Sequence, residues 1–187
     1  MTPANVFERI SAILQRADIP YMLVGSFASS HYGAMRSTYD IDFLIAATLE
    51  QLRTLIRLLP QEEYYRDLES AIEAHKHQSM FNIIDMATGL KIDFIMSKPT
   101  AFGREQFRRR TKAEVEGTSV FVATPEDVIV AKLQWAQMGQ SLRQLEDIAG
   151  ILKFRRDSLD HSYLQKWIAE LGLTAEWKKA RQQAGFE

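Results

Sequence analysis

Apolar and polar residues follow two different spacings along the chain before residue 124. Helical patterns predict helices over about residues 4–17, 27–32, 49–59 and 101–110. Alternating or continuous apolar runs predict strands at about residues 21–24, 40–45, 80–85, 90–96 and 119–123. The short segment 87–89 between the third and fourth runs is typical of a hairpin turn, whereas residues 61–79 carry no clear period and are not assigned.

The pattern changes at Thr124. Thr124 as N-cap, Pro125 at the first helical position and the acids Glu126 and Asp127 in the first turn are typical of a helix start. Only helical patterns follow, over about residues 125–138, 141–155, 160–171 and 174–184. We therefore predict a mixed α/β core over residues 1–123 and a helical region over residues 124–187. No flexible linker separates the two parts, so we expect the helices to pack on the core.

Composition narrows the class of protein without identifying it. The 187 residues are 46% hydrophobic and 25% charged, as in an ordinary globular protein. Because 23 Lys and Arg face 24 Asp and Glu, a nucleic-acid partner would have to bind a local patch. The chain has no Cys, which excludes disulfides, thiolate metal sites and Cys nucleophiles. With no signal-like N-terminus and no apolar run of membrane length, we expect a cytoplasmic protein without a membrane partner.

Two aspartates interrupt an otherwise apolar strand. Asp40 and Asp42 alternate with Ile41 and Phe43, so both carboxylates point to one face of the strand. Such a pair is repulsive unless a cation lies between the carboxylates, and Mg²⁺ prefers oxygen ligands. An exposed acidic pair on a sheet edge is the alternative interpretation, and the pair alone does not decide between the two.

A third carboxylate repeats this pattern on a later strand. Asp93 lies inside the apolar run at residues 90–96, with Lys91 on the same face. Three strand carboxylates facing one cleft would satisfy a two-metal site. Lys91 has two interpretations, as a structural ion-pair partner of these acids or as a ligand of a substrate phosphate.

A glycine and a serine stand between a predicted buried strand and a predicted helix. Gly25 allows a close approach of the backbone, and the hydroxyl of Ser26 with the first N–H groups of a helix can bind a phosphate. Most Gly-Ser pairs are simply turns, so the functional interpretation depends on the residues that accompany this one.

The order of these elements resembles the signature of the DNA polymerase β-like nucleotidyltransferase superfamily. Val24-Gly25-Ser26 precedes the run Asp40-Ile41-Asp42-Phe43, and Asp93 matches the family's third Asp on a later strand. The thirteen residues between the two motifs are toward the long end for this family. The resemblance spans about residues 20–96. It implies an α+β fold with a nucleotidyltransferase-like mixed β-sheet flanked by helices and a C-terminal helical segment.

Further residues resemble the minimal bacterial nucleotidyltransferases, which include toxins of toxin–antitoxin systems, abortive-infection proteins and relatives of the aminoglycoside-modifying transferases. The run that begins at Arg36 and ends at Asp42 is similar to their Arg-x-Thr-x-Asp-apolar-Asp motif, and Lys91-x-Asp93 to a Lys-x-Asp motif of the toxin group. The segment from Thr124 through Lys132 resembles a helix whose Lys faces the nucleotide.

The resemblance implies a mechanism. Asp40, Asp42 and Asp93 would bind Mg²⁺, with Mn²⁺ as the alternative. An NTP, with ATP among the candidates, would rest its phosphates on Gly25-Ser26, and its nucleoside monophosphate would pass to an acceptor. Asp93 would activate the nucleophile. The other implied nucleotide-binding residues are Arg36, Lys91 and Lys132, although Arg36 has a structural interpretation as a partner of Asp40 or of a backbone carbonyl.

The acceptor is open at this point. The toxin-like motifs favour a tRNA or other RNA or a protein, and they imply a possible antitoxin partner or a role in phage defence. A small-molecule acceptor such as an aminoglycoside, or a non-catalytic nucleotide-binding regulator, is the alternative.

Two other clusters are predicted to be surface features. His75 and His77 are expected on one face of a strand, without a third metal ligand nearby. The basic run at residues 108–112 is interpreted as a solvated helix end, with a nucleic-acid contact as the alternative.

Overall fold

The computed structural model describes residues 3–34, 38, 40–139 and 141–186. Their contacts divide into two compact units, which are described separately. The first contains residues 3–24, 38 and 40–122, and the second contains residues 25–34, 123–139 and 141–186. The division runs close to the predicted boundary, but it assigns the short segment from residue 25 to residue 34 to the helical unit. The predicted packing of the helical region on the core stays a prediction.

The first unit is built on a mixed β-sheet. Its strands are β1 (Tyr21–Val24), β2 (Asp40–Ile45), β3 (Tyr64–Tyr65), β4 (Met80–Asp85), β5 (Lys91–Met96), β6 (Thr111–Val115) and β7 (Thr118–Val122). They lie in the order β3-β4-β5-β2-β1-β7-β6. The pairs β2–β5 and β1–β7 are parallel, and the other neighbours are antiparallel. The confirmed fold class is therefore α+β.

The helices of this unit are α1 (Pro3–Arg16), α3 (Leu49–Leu58), α4 (Leu68–His77) and α5 (Ala101–Arg109). α3 begins in a capping box, in which Thr48 and Gln51 satisfy each other's backbone N–H groups. α4 begins at the N-cap Asp67 and α5 at the N-cap Thr100, so polar side chains define these helix starts.

The core of the first unit lies on the sheet face opposite to the three aspartates. Phe43 of β2 stacks on Phe94 of β5 with ring centroids 6.1 Å apart, and Phe7 of α1 meets Phe43 edge-on at 6.4 Å. Phe81 of β4 continues the row, 5.2 Å from Phe94. Because side chains alternate along a strand, this apolar row obliges the intervening polar residues to face the other way.

In the described part of the second unit, all the regular secondary structure is helical. It contains α2 (Gly25–His31), α6 (Pro125–Gly139), α7 (Leu142–Arg155), a short 3-10 turn (Arg156–Ser158), α8 (His161–Glu170) and α9 (Thr174–Ala184). Helix α6 starts as predicted, with the hydroxyl of Thr124 accepting from the backbone N–H of Asp127 at 3.3 Å. Asp127 is fully buried, and its two carboxylate oxygens are satisfied there, since the Thr124 hydroxyl donates to one and the Tyr163 hydroxyl donates to the other.

Three local features differ from the sequence prediction. Residues 61–79 contain the short strand β3 and helix α4, so the expectation that His75 and His77 lie on a strand is wrong. Two positions apart on a helix, their side chains do not share a face, and His77 instead meets Glu73 one turn earlier, at 3.1 Å. Strand β6 was not predicted at all. It forms a hairpin with β7 across Glu116 and Gly117, which both have positive φ, as a two-residue turn of this kind requires.

In the described ranges, none of the helices is both long enough and apolar enough to cross a bilayer.

Candidate active site

The three predicted carboxylates lie on two adjacent central strands, β2 and β5. In the parallel pairing of these strands, Asp42 is in register with Asp93, and Asp40 is in register with Lys91. Residues in register on neighbouring strands point to the same side of the sheet. The structure therefore places Asp40, Asp42, Lys91 and Asp93 on one face, and the sequence expectation of a shared face is met for all four.

These side chains differ sharply in exposure. Asp93 is 4% exposed, whereas the side chains of Asp40 and Lys91 are 53% and 40% exposed. Asp42 is intermediate. The central position of β5 in the sheet explains the burial of Asp93, because strands cover it on both sides. A carboxylate in such a place needs a cation or hydrogen-bond donors, since a buried unpaired charge is costly.

Lys91 supplies part of that compensation. Its Nζ lies 2.9 Å from Asp93 Oδ2 and 3.8 Å from Asp40 Oδ1. The hydrogen bond to Asp93 raises the pKa of Lys91, and the negative charges of Asp93, Asp40 and Asp42 act in the same direction, against the opposing effect of burial. Lys91 is thus firmly cationic, and its ammonium joins carboxylates on two different strands.

The second oxygen of Asp93 is different. Asp93 Oδ1 is buried and has no hydrogen-bond partner among the described residues. An orphaned buried carboxylate oxygen is unusual in a folded protein and calls for an explanation. A hard divalent cation is a chemically suitable partner, because Mg²⁺ and Mn²⁺ take oxygen ligands from one or two carboxylates and from substrate phosphates. The donor set of Asp40, Asp42 and Asp93 fits such an ion.

The carboxylates are not already gathered into a metal cage. Over the described ranges, no group of three or more His, Asp or Glu side chains has the arrangement needed to hold a metal ion. The carboxylates of Asp40 and Asp93 instead share the Lys91 ammonium.

Gly25 and Ser26 open helix α2 in the second unit. The helix starts at Gly25 itself, without a separate turn, immediately after the last residue of β1. Gly25 has φ of 63°, in the left-handed region that glycine adopts without strain. The backbone carbonyl of Ser26 accepts from the Ser29 hydroxyl at 3.0 Å. The first N–H groups of a helix are unpaired within it, so this helix start has the donors that the predicted phosphate-binding role requires.

Lys132 belongs to helix α6 and forms a buried ion pair. It is 4% exposed, inside the second unit, and its Nζ donates to Asp147 Oδ2 at 2.7 Å and to Gln144 Oε1 at 3.0 Å. An ammonium held by a buried carboxylate and an amide joins α6 to α7. The structure therefore gives Lys132 a structural partner that the sequence pattern did not indicate, and its nucleotide-binding role stays a prediction.

Arg36 and the basic run at residues 108–112 are the two remaining predicted features. Arg36 lies outside the described residues, so its role also stays a prediction. The basic run is divided between the end of α5 and strand β6, where Arg108 forms a bidentate contact with Glu105 and the Arg110 guanidinium lies over the rings of Phe107 and Phe121.

Sequence reasoning missed one neighbour of the carboxylates. Asn82 of β4 is in register with Asp93 and is exposed, so its side chain points to the same sheet face as the buried carboxylate. A polar residue between Phe81 and Ile83 is the only signal of this in the sequence. That signal shows alternation, but it does not show which strand or residue stands opposite.

Residues 4–184 match a protein family described as an uncharacterised nucleotidyltransferase. No curated protein sequence gives a significant match.

Several solved structures share the fold. The antibiotic-resistance factor ANT(2'')-Ia has a TM-score of 0.60 at 12% identity, with 96% of each chain covered. The lincosamide antibiotic adenylyltransferase LnuA, solved with lincomycin bound, has a TM-score of 0.53 at 12% identity, over 81% of this chain and 96% of that one. A putative nucleotidyltransferase from Thermotoga maritima has a TM-score of 0.51 at 14% identity, over 89% and 92% of the two chains. At these identities the similarity establishes the fold.

Proposed function

The chain belongs to this nucleotidyltransferase family over nearly its whole length, and from that membership we propose that it transfers a nucleoside monophosphate from an NTP to an acceptor in a reaction that depends on Mg²⁺. The observation that carries the proposal is the row of carboxylates on β2 and β5, with Asp42 in register with Asp93 and one buried Asp93 oxygen unpartnered among the described residues.

The roles proposed for the residues follow from their positions. Asp40, Asp42 and Asp93 hold the metal, which when bound supplies positive charge to the triphosphate and to the attacking oxygen. Asp93 accepts the proton of the acceptor hydroxyl, because it is the most enclosed carboxylate of the three. The hydroxyl oxygen forms a bond to the α-phosphorus, the bond to the bridging oxygen breaks, and pyrophosphate leaves.

Phosphate binding is proposed for two further elements. Gly25 and Ser26 offer the N–H groups at the start of α2 to phosphate oxygens. Lys91 neutralises phosphate charge, and Arg36 is proposed for the same role on its motif alone. For Lys132 we propose a structural role instead, because its ammonium is enclosed by Asp147 and Gln144.

For the acceptor, the Lys91-x-Asp93 motif and its likeness to the toxin-type group favour a macromolecule, an RNA such as tRNA or a protein. A toxin with a cognate antitoxin, acting in phage defence, is the biological setting that this proposal implies. A small-molecule acceptor is the second candidate, supported by the fold shared with an antibiotic-resistance factor and a lincosamide adenylyltransferase.

The proposal is tested by incubating the purified protein with each of the four α-labelled NTPs and Mg²⁺, in the presence of total RNA, cell protein or an aminoglycoside mixture. We expect label in one acceptor fraction and a loss of about 100-fold or more in Asp42→Asn, as when a group that stabilises the transition state is removed. Asp157→Asn, at an exposed position far along the chain, is the matched control and should transfer label like the wild type. Transfer at the wild-type rate by Asp42→Asn would refute the carboxylate site.

A further inference from the structure

The ammonium of Lys91 lies where the charge of the carboxylate site is greatest. It is 2.9 Å from Asp93 Oδ2 and 3.8 Å from Asp40 Oδ1, and it thereby joins β5 to β2. Among the described residues, both aspartates form an ion pair with this same ammonium. In the structure, then, one positive charge from the chain itself holds together carboxylates that would otherwise repel.

Two features show that this arrangement can be exchanged for another. The Lys91 side chain is 40% exposed, so its flexible stem can carry the ammonium into solvent when another cation takes its place. Asp93, in contrast, is held on a central strand and cannot follow it, and its Oδ1 is already buried without a hydrogen-bond partner in the described part of the chain. The carboxylate of Asp93 is thus held in place, whereas the ammonium of Lys91 can move away from it.

We infer that Lys91 is a displaceable counter-ion, which occupies the carboxylates until a divalent cation replaces it and which then transfers its charge to the triphosphate. This inference rests on the proposed function. It differs from both simple interpretations of Lys91, because a permanent structural ion pair would not exchange and a pure phosphate ligand would not compete with the metal.

A coupling between metal and nucleotide follows. The metal alone must compete with a bound ammonium, so it binds weakly. With a triphosphate present, the displaced ammonium gains a new anionic partner, so each ligand strengthens the binding of the other by the same factor. The chain thus avoids loading metal without nucleotide.

The test measures the affinity of Mn²⁺ alone, by electron paramagnetic resonance, and then in the presence of a nonhydrolysable ATP analogue. The variants are Lys91→Met, Lys91→Arg and the control Lys112→Met, which removes an exposed lysine from β6. In Lys91→Met we expect Mn²⁺ alone to bind more tightly and the nucleotide more weakly, each by about 5- to 150-fold, as for a typical coupling between sites. Lys112→Met should behave like the wild type. Lys91→Arg keeps a cation beside the carboxylates, so Mn²⁺ alone should bind to it more weakly than to Lys91→Met.

Thermal unfolding gives a second readout that needs no nucleotide. Metal-free Lys91→Met should melt below the wild type, because Asp93 loses its partner, and Mn²⁺ should raise its melting temperature by more than that of the wild type. Should Lys91→Met fail to fold, Lys91→Gln is measured in the same way, since its amide can still donate to Asp93.

The outcomes separate this inference from the proposed function. If the wild type binds Mn²⁺ with nucleotide but Lys91→Met binds Mn²⁺ alone no more tightly, the counter-ion exchange is refuted and the metal site stands. If nucleotide affinity alone falls, Lys91 is a phosphate ligand only. If the wild type binds no Mn²⁺ even with nucleotide, the metal site and this inference are both overturned.

Discussion

The buried ion pair between Lys132 and Asp147 allows a direct test of what Lys132 does. Both side chains are 5% exposed, and Nζ and Oδ2 are 2.7 Å apart. At that distance, with an effective dielectric constant of about 20, the attraction between two unit charges is about 6 kcal/mol. The desolvation of both ions offsets much of it, so the pair adds little net stability over an apolar pair of similar volume.

Removing only one member is a different matter, because it leaves the other charge buried without its ion-pair partner at 2.7 Å. We expect Lys132→Met to lower the free energy of unfolding by about 3–5 kcal/mol. For a chain of this length that corresponds to a fall in melting temperature of roughly 6–20 °C. Urea unfolding followed by far-UV circular dichroism measures the change.

The matched controls separate charge burial from loss of a side chain. The double variant Lys132→Met/Asp147→Leu should regain much of the lost stability, because neither charge is then left alone. Lys178→Met, at an exposed lysine of α9, should stay within about 0.5 kcal/mol of the wild type. A cost below about 1 kcal/mol for Lys132→Met, with a large loss of nucleotide affinity, would show that the structural reasoning is wrong and that Lys132 serves the nucleotide.

Two further predictions concern stability alone. An added Cβ at Gly103 would overlap the backbone carbonyl oxygen of Lys98, so Gly103→Ala should lower the free energy of unfolding by about 1–3 kcal/mol in chemical denaturation. Gly139→Ala is the control and should be neutral, because its Cβ meets no described atom within 4 Å. Equal effects of the two substitutions would refute the overlap. Hydrogen bonds from Ser70 hold the pKa of Asp67 below its ordinary value of 3.8, so the stabilisation is complete above that pH and is lost as the pH falls through the lowered pKa. Asp67→Asn can still cap α4 but does not titrate, so the difference in unfolding midpoint between wild type and variant should narrow as the pH falls below 3.8; a constant difference would contradict the assignment.

Local patterns predicted most of the secondary structure. Helix caps such as Thr124 and the alternation around Asp40 and Asp42 act over a few residues, so their physics is contained in the sequence itself. Strand β6 was missed because its residues are mostly exposed and its alternation is limited to Ala113 and Val115. The two histidines were misplaced because they end α4 in a polar stretch, beyond the helical spacing of Leu68, Ala71 and Ile72.

The candidate site divides in the same way. The identities of the three carboxylates and of Lys91 were available from motifs, and the family membership agrees with the resemblance on which they rested. Their arrangement was not available, since the pairing of Asp42 with Asp93 joins strands that are distant in the sequence. Lys132 shows the opposite case, in which a motif suggested one environment and a partner on the next helix supplies another.

The sequence by itself determined which residues carry charge on strand faces, where helices begin, and which family the chain resembles, because these follow from local geometry and short motifs. Only the tertiary structure decided which strands are neighbours, that Asp93 is buried with one oxygen unpartnered in the described residues, and that Lys91 bridges two strands. The physical reason is that the surroundings of a charge, its burial and its partners, are set by contacts between distant segments. Those surroundings are the basis on which we propose a metal site at the carboxylates and a counter-ion role for Lys91.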